Sequence, residues 1–206
     1  RISKSKLIDR IIIATTINKT DDIIEDICIR NKWLYYRGSE NDVLDRFYQT
    51  AKKFKSKNIL RITSDCPLVD YKLIDDQIKT FYELSNIDFL TIKYHGTHGF
   101  PDGTNGEIFS FEALKISWEK TKKQFEREHV TTYMHNNLRK KIYNIFIPNN
   151  IKIKLDKLHL SLDTKQDLIN LRKIINYFNE NINYTYIDIL NYLNNLSDNE
   201  IRYFYI

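Results

Sequence analysis

The chain has 206 residues, 42% hydrophobic and 29% charged, with a net charge of +5 and a pI near 9.0. That balance excludes a disordered chain and leaves room for one sizeable core, and no apolar run approaches the ~20 residues that a membrane-spanning helix needs. Lysines are scattered and only Arg139-Lys140-Lys141 is densely basic, so neither nucleic acid nor a membrane is expected as a partner. The two cysteines, Cys28 and Cys66, make no disulfide framework, and a reducing cytoplasm is the expected compartment.

In chain order, Arg1 to Leu7 reads like the last turn of a helix. Asp9 to Thr15 is a continuous β-branched run, the pattern of a buried strand. Thr20-Asp21-Asp22 caps a helix with Ile23, Ile24, Ile27 and Cys28 at helical spacing. Trp33 to Tyr36 is a short strand, and the turn Gly38 to Asp42 leads into a helix marked by Val43, Leu44, Phe47, Tyr48, Ala51 and Phe54. Asn58 to Thr63 is a strand, Asp70 caps a helix running to about Leu84, and Asp88 to Tyr94 is a further strand. The order β-α-β-α-β-α-β calls for a parallel sheet covered on both faces.

The rhythm then changes. His95 to Asn105 is a loop punctuated by Pro101-Asp102-Gly103. Gly106 to Phe111 is a short strand, Glu112 to Lys122 a helix, and Phe125 to Asn137 a second helix with Glu126, His129, Val130 and Tyr133 on one face. Lys141 to Ile147 and Leu158 to Leu162 are expected strands, followed by helices over Lys165 to Tyr177 and Thr185 to Leu196.

Two acids stand where strands end. Asp65, in Arg61-Ile62-Thr63-Ser64-Asp65-Cys66-Pro67, follows an apolar run, and Asp163, in Leu160-Ser161-Leu162-Asp163-Thr164, does the same. Each by itself reads more readily as a helix cap than as a site. Together, at the carboxyl ends of strands where α/β sheets bind ligands, they suit a divalent cation carrying a phosphate. Arg46 has a plain alternative as an i,i+4 partner of Asp42, and His129 as a half-buried helix histidine. His95, His98 and Asp102 show no zinc spacing, and Cys66 has no paired base.

Six stretches resemble, in order and across nearly the whole chain, the cytidylyltransferase family that includes acylneuraminate and 3-deoxy-manno-octulosonate cytidylyltransferases, in its SpsF-like branch. They are Gly38 to Arg46, Arg61 to Asp70, Pro101-Asp102-Gly103, Phe109 to Leu114, Arg127 to Thr131 and Leu162-Asp163-Thr164. The resemblance implies a Rossmann-like α/β fold of the nucleotide-diphospho-sugar transferase type, a mostly parallel sheet flanked by helices. It implies transfer of CMP from CTP to a sugar or sugar acid with release of pyrophosphate, for surface polysaccharide biosynthesis. Mg²⁺ would be held by Asp65 and Asp163, and Arg61 would support the phosphates or hold Asp65. Ser39, Asp42, Arg46, Thr63 and Ser64 would serve the nucleotide. Asp102, Glu107, Arg127, Glu128 and His129 would line the acceptor side. A single domain is implied, with a nucleotide part over 1–94, an acceptor and dimerisation part over 95–157 and a carboxy-terminal part over 158–206, and a homodimer is a family habit.

Three departures accompany the likeness. The family opens with a central strand and a glycine-rich basic loop that grips the triphosphate, and this sequence begins about where the first helix should end, so the 206 residues are expected to be a fragment that binds CTP weakly and turns over little. Asn105-Gly106 replaces an Asp-Val pair ahead of Glu107, and Thr132 stands where proline often follows the threonine. Two other function classes stay open at this point. A nucleotide-sugar-dependent glycosyltransferase would carry a DxD motif, which neither acid provides. A non-catalytic remnant or binding module would fit the lacking phosphate loop.

Overall fold

The computed structural model describes residues 1–92, 103–104, 106–145 and 147–205. The β-branched run forms strand β1 (Ile12–Thr16), paired in parallel with β2 (Leu34–Gly38). Parallel neighbours need a crossover, and helix α1 (Asp22–Asn31) supplies it. Helix α2 (Val43–Lys53) starts at Asp42, whose carboxylate accepts the Asp45 N–H at 2.9 Å. It leads to β3 (Asn58–Arg61), then α3 (Tyr71–Glu83) and β4 (Phe89–Thr91). The β-α order expected from the sequence therefore holds as far as β4.

β5 (Glu107–Ser110) runs antiparallel between β3 and β4, and β6 (Lys140–Ile142) lies parallel to β4. The strand order is β3-β5-β4-β6, with β1-β2 as a separate parallel pair. Rossmann-like α/β architecture stands, with β5 as its antiparallel member. Among the described residues, β1 and β3 do not pair with each other. A cleft of about 890 Å³ lies between them, walled also by residues of α2 and α3.

Helix α4 (Phe111–Lys120) follows β5, capped by the Ser110 hydroxyl on the Ala113 N–H. The single helix expected over Phe125 to Asn137 is instead two, α5 (Gln124–Glu128) and α6 (Thr132–Asn137). The run Val130-Thr131-Thr132 breaks it: Thr132 Oγ1 donates to the His129 carbonyl, and Thr131 Oγ1 is drawn to Glu107. The strand expected over Leu158 to Leu162 is reduced to one antiparallel bridge, Leu158 to Tyr205. The strand expected from Lys141 to Ile147 ends at Ile142. Helices α7 (Lys165–Tyr177) and α8 (Tyr186–Asn194) follow, each opened by a Thr-x-x-Asp capping box, and a short α9 (Asp198–Ile201) was not expected.

The core is divided. Leu44, Tyr48, Phe89, Phe109, Leu114 and Met134 seat α2, α4 and α6 on the four-stranded sheet. Ile74, Ile78, Leu90 and Ile108 seat α3 on it. Leu158, Leu160, Leu171, Ile174, Leu190 and Phe204 hold the carboxy-terminal helices together. Each fully buried side chain of this kind contributes about 2 kcal/mol. Asp70 ties the parts: wholly buried, it accepts the Lys72 N–H with one oxygen and the Tyr186 N–H with the other, both at 2.8 Å. One carboxylate thus caps both α3 and α8.

Candidate active site

The acid-bearing stretches meet. The Leu162 N–H donates to the Asp65 carbonyl at 2.8 Å. That bond brings the backbones of Asp65 and Asp163, far apart in sequence, to one place beyond β3. Thr63 and Ser64, which lead to Asp65, line the cleft. Asp65 Oδ1 accepts from the Cys66 thiol at 3.3 Å, and Thr63 Oγ1 lies 3.2 Å from the same sulfur. Asp163 Oδ2 accepts from Ser161 Oγ at 3.1 Å and lies 2.9 Å from His159 Nε2. Asp163 is not the cap of α7; Thr164 is, with Asp167 completing its capping box.

Two guanidinium groups line the same cleft, Arg46 and Arg61. Each has a buried Nε with no hydrogen-bond partner among the described residues, and a buried orphan donor carries a desolvation cost that an anion would relieve. Burial pushes the Arg46 guanidinium below its usual pKa, while Asp21 and Glu40 work in the opposite direction. Arg46 Nη1 donates to the Ser39 carbonyl at 2.5 Å, not to Asp42. Gly38 makes this approach feasible, because a Cβ there would sit 3.0 Å from Arg46 Cγ. Asp21, the residue before α1, folds back on the end of β1 and accepts from Thr15 Oγ1, Thr16 Oγ1 and the Thr16 N–H, which lowers its pKa to about 2.

Arg61 makes no ion pair with Asp65 among the described residues; its Nη1 reaches Glu107 Oε2 at 2.8 Å. Glu107 also takes the Thr131 hydroxyl on both oxygens at 3.0 Å and lies 3.3 Å from His135 Nε2. Burial raises the Glu107 pKa, but His135, Arg61 and Thr131 outweigh it and hold the carboxyl below its usual range. Glu107 is thus the anchor of Arg61. Its neighbour Gly106 is packed against β3, where a Cβ would lie 2.7 Å from Leu60 Cδ1.

The other expected residues are dispersed between frame and surface. Ser39 Oγ accepts the Asp42 N–H at 3.0 Å, and Asp42 both caps α2 and takes Arg127 Nε at 2.7 Å. Arg127 spends its remaining bonds on the Trp118 and Thr121 carbonyls, so it fastens α5 to α2 and α4. Glu128 and His129 are exposed, with the His129 ring 4.4 Å from that of Phe125. Asp102, with His95 and His98, lies outside the described residues. His135, His159, Ser161 and Asp21 were not singled out from the sequence. For two of them a signal existed: His159, Ser161 and Asp163 alternate, which puts them on one face of an extended segment.

The chemistry of the donor set suits a hard divalent cation: two carboxylate-bearing segments joined by the Leu162–Asp65 backbone bond, with the Thr63 and Ser64 hydroxyls and the phosphate-seeking Arg46 and Arg61 in the adjoining cleft.

A family model described as cytidylyltransferase matches residues 1–199. The chain belongs to the cytidylyltransferase family. An uncharacterised protein of Methanocaldococcus jannaschii is 39% identical over 88% of this chain and 77% of its own length. The spore coat polysaccharide biosynthesis protein SpsF of Bacillus subtilis is 30% identical over 92% of this chain and 77% of its own. A solved structure of a cytidylyltransferase from Leptospira borgpetersenii superposes with a TM-score of 0.81 at 30% identity, covering 94% of this chain and 79% of that one. As a member of this family the chain has the fold of a nucleotidyltransferase, and no helix among its described residues is long and apolar enough to cross a membrane.

Proposed function

We propose that the protein transfers CMP from CTP to a hydroxyl of a sugar or sugar acid, releasing pyrophosphate, as a cytoplasmic step in surface polysaccharide biosynthesis. The observation that carries this reading is the Leu162–Asp65 backbone bond, which joins the Asp65 and Asp163 segments beside a cleft lined by Arg46 and Arg61, each with a buried Nε left without a partner among the described residues. In the reaction the acceptor hydroxyl gives up its proton to solvent and its oxygen bonds to the α-phosphorus as the bond from the α-phosphorus to the α,β-bridging oxygen breaks, and that oxygen departs with pyrophosphate. Mg²⁺ between Asp65 and Asp163 would offset the charge that builds on the phosphate oxygens. Arg46 and Arg61 bind phosphate and fix its direction, Arg61 being held by Glu107. Thr63 and Ser64 offer hydroxyls to the same groups, and Ser39 and Asp42 stand beside Arg46 on the nucleoside side. Glu128 and His129, the exposed members of the expected acceptor set, are free to meet a sugar.

The test is release of pyrophosphate from CTP, assayed against a panel of sugars and sugar acids with Mg²⁺. Pyrophosphate formed only when CTP and an acceptor are both present supports the reading; UDP formed from a UDP-sugar instead would assign a glycosyltransferase. Asp65→Asn should lower turnover on the order of a hundred-fold while leaving the circular dichroism and melting curve unchanged. Retained turnover would remove Asp65 from the cation site.

A further inference from the structure

The surroundings of Asp163 are more built than a carboxylate at a strand end requires. Residues 158–163 are tethered along their length: the His159 N–H donates to the Phe204 carbonyl at 2.8 Å, and the Leu162 N–H to Asp65. Leu158 and Leu160 are buried, while His159, Ser161 and Asp163 alternate with them. The His159 side chain is only 13% exposed, against 53% for Asp163. Its Nε2 and Ser161 Oγ both reach Asp163 Oδ2, whereas Asp163 Oδ1 takes no hydrogen bond from the described residues. Asp167 Oδ2, fixed by the Thr164 N–H and hydroxyl, accepts the Asp163 N–H at 3.1 Å and lies 3.6 Å from His159 Nε2.

His159 Nδ1 is buried without a partner among the described residues. A buried acceptor left empty is better tolerated than a buried N–H left without an acceptor, which selects the tautomer with its hydrogen on Nε2. That hydrogen points the bond from imidazole to Asp163. The three side chains His159, Asp163 and Asp167 also bring ligand atoms within 4.8 Å of one another. A metal-bound imidazole, however, normally donates its second N–H to a partner, and Nδ1 has none.

We propose that His159 is a positioning residue: it clamps Asp163 through Oδ2 and leaves Oδ1 for the cation. This rests on the reading that Asp65 and Asp163 hold that cation. The probe is Mn²⁺ with CTP on the full chain, read by water-proton relaxation enhancement, with melting curves as a check on folding. His159→Phe removes the donor, His159→Asn is too short to reach Asp163, and His159→Gln keeps an N–H at similar reach. Because partners of metal ligands typically govern affinity by ten-fold or more, the first two should weaken Mn²⁺ binding about ten-fold and the third by no more than about three-fold. Folded His159→Phe or His159→Asn protein that binds Mn²⁺ as tightly as the wild type, or more tightly, overturns the proposal. A Gln variant as weak as Phe also overturns it, making His159 a ligand itself. Enhancement abolished by Asp65→Asn but untouched at His159 defeats this inference alone. Absence of enhancement in the wild type defeats the cation site and the inference together.

Discussion

Glu107 shows how one side chain sets the properties of another. It holds Arg61 across β5 and β3 while Thr131 and His135 occupy its remaining acceptor sites. Its pKa in the folded protein lies below the ordinary value of 4.5. The unfolded state therefore binds more protons in the interval beneath 4.5, so the stabilisation from Glu107 is complete above that pH and is lost as pH falls through the folded pKa. Glu107→Gln should cost about 2 kcal/mol in urea unfolding at pH 7, the scale of a hydrogen-bonded charged pair that is partly buried. The gap between wild type and variant should close as the measurement moves from pH 5 towards pH 3. A gap that stays constant with pH would show that charge is not what Glu107 contributes.

Elements of this protein divide by how local their causes are. Helix α7 was legible to the residue, because Thr164 and Asp167 form its capping box and Leu168, Leu171, Ile174 and Ile175 supply the stripe. The two acids at strand ends were legible for the same reason: an abrupt change from apolar to polar side chains is a local event. The break between α5 and α6 was not, since periodicity continues through it and its cause, the pull of Glu107 on Thr131, comes from another strand. His159 escaped notice in the same way; its partners are assembled by docking against Phe204 and Asp65. Gly103 marks a similar long-range constraint. It has φ +88, and a Cβ there would meet the Leu160 carbonyl group at 2.5 Å. Gly103→Ala should therefore destabilise by about 2–3 kcal/mol in thermal or urea unfolding, through strain at positive φ and overpacking against backbone that cannot yield. A loss below the error of measurement would show that the 158–162 segment shifts without cost.

At the scale of the whole molecule, the dominant feature is the cleft between β1 and β3. Two strands that, among the described residues, each pair on one side only face it, and interior backbone of this kind ordinarily finds a partner. The fold is held across the gap by α2 and α3 rather than by a continuous sheet. Adding an apolar strand and a glycine-rich basic loop ahead of Arg1 should raise the melting temperature and tighten CTP binding at least about ten-fold, since a backbone-lined phosphate cradle joins the guanidinium groups. Calorimetry of both chains makes the comparison. Equal affinities would show that Arg46, Arg61 and the two acids suffice without a strand in the cleft.

The tether of His159 to Phe204 has a consequence for biosynthesis. Asp163 takes its place beside Asp65 through a segment whose own anchor, Phe204, is made well after it. A ribosome must therefore have released the chain through Phe204 before this pocket exists, and products terminated ahead of that residue are left without it, however well their earlier helices and strands have formed.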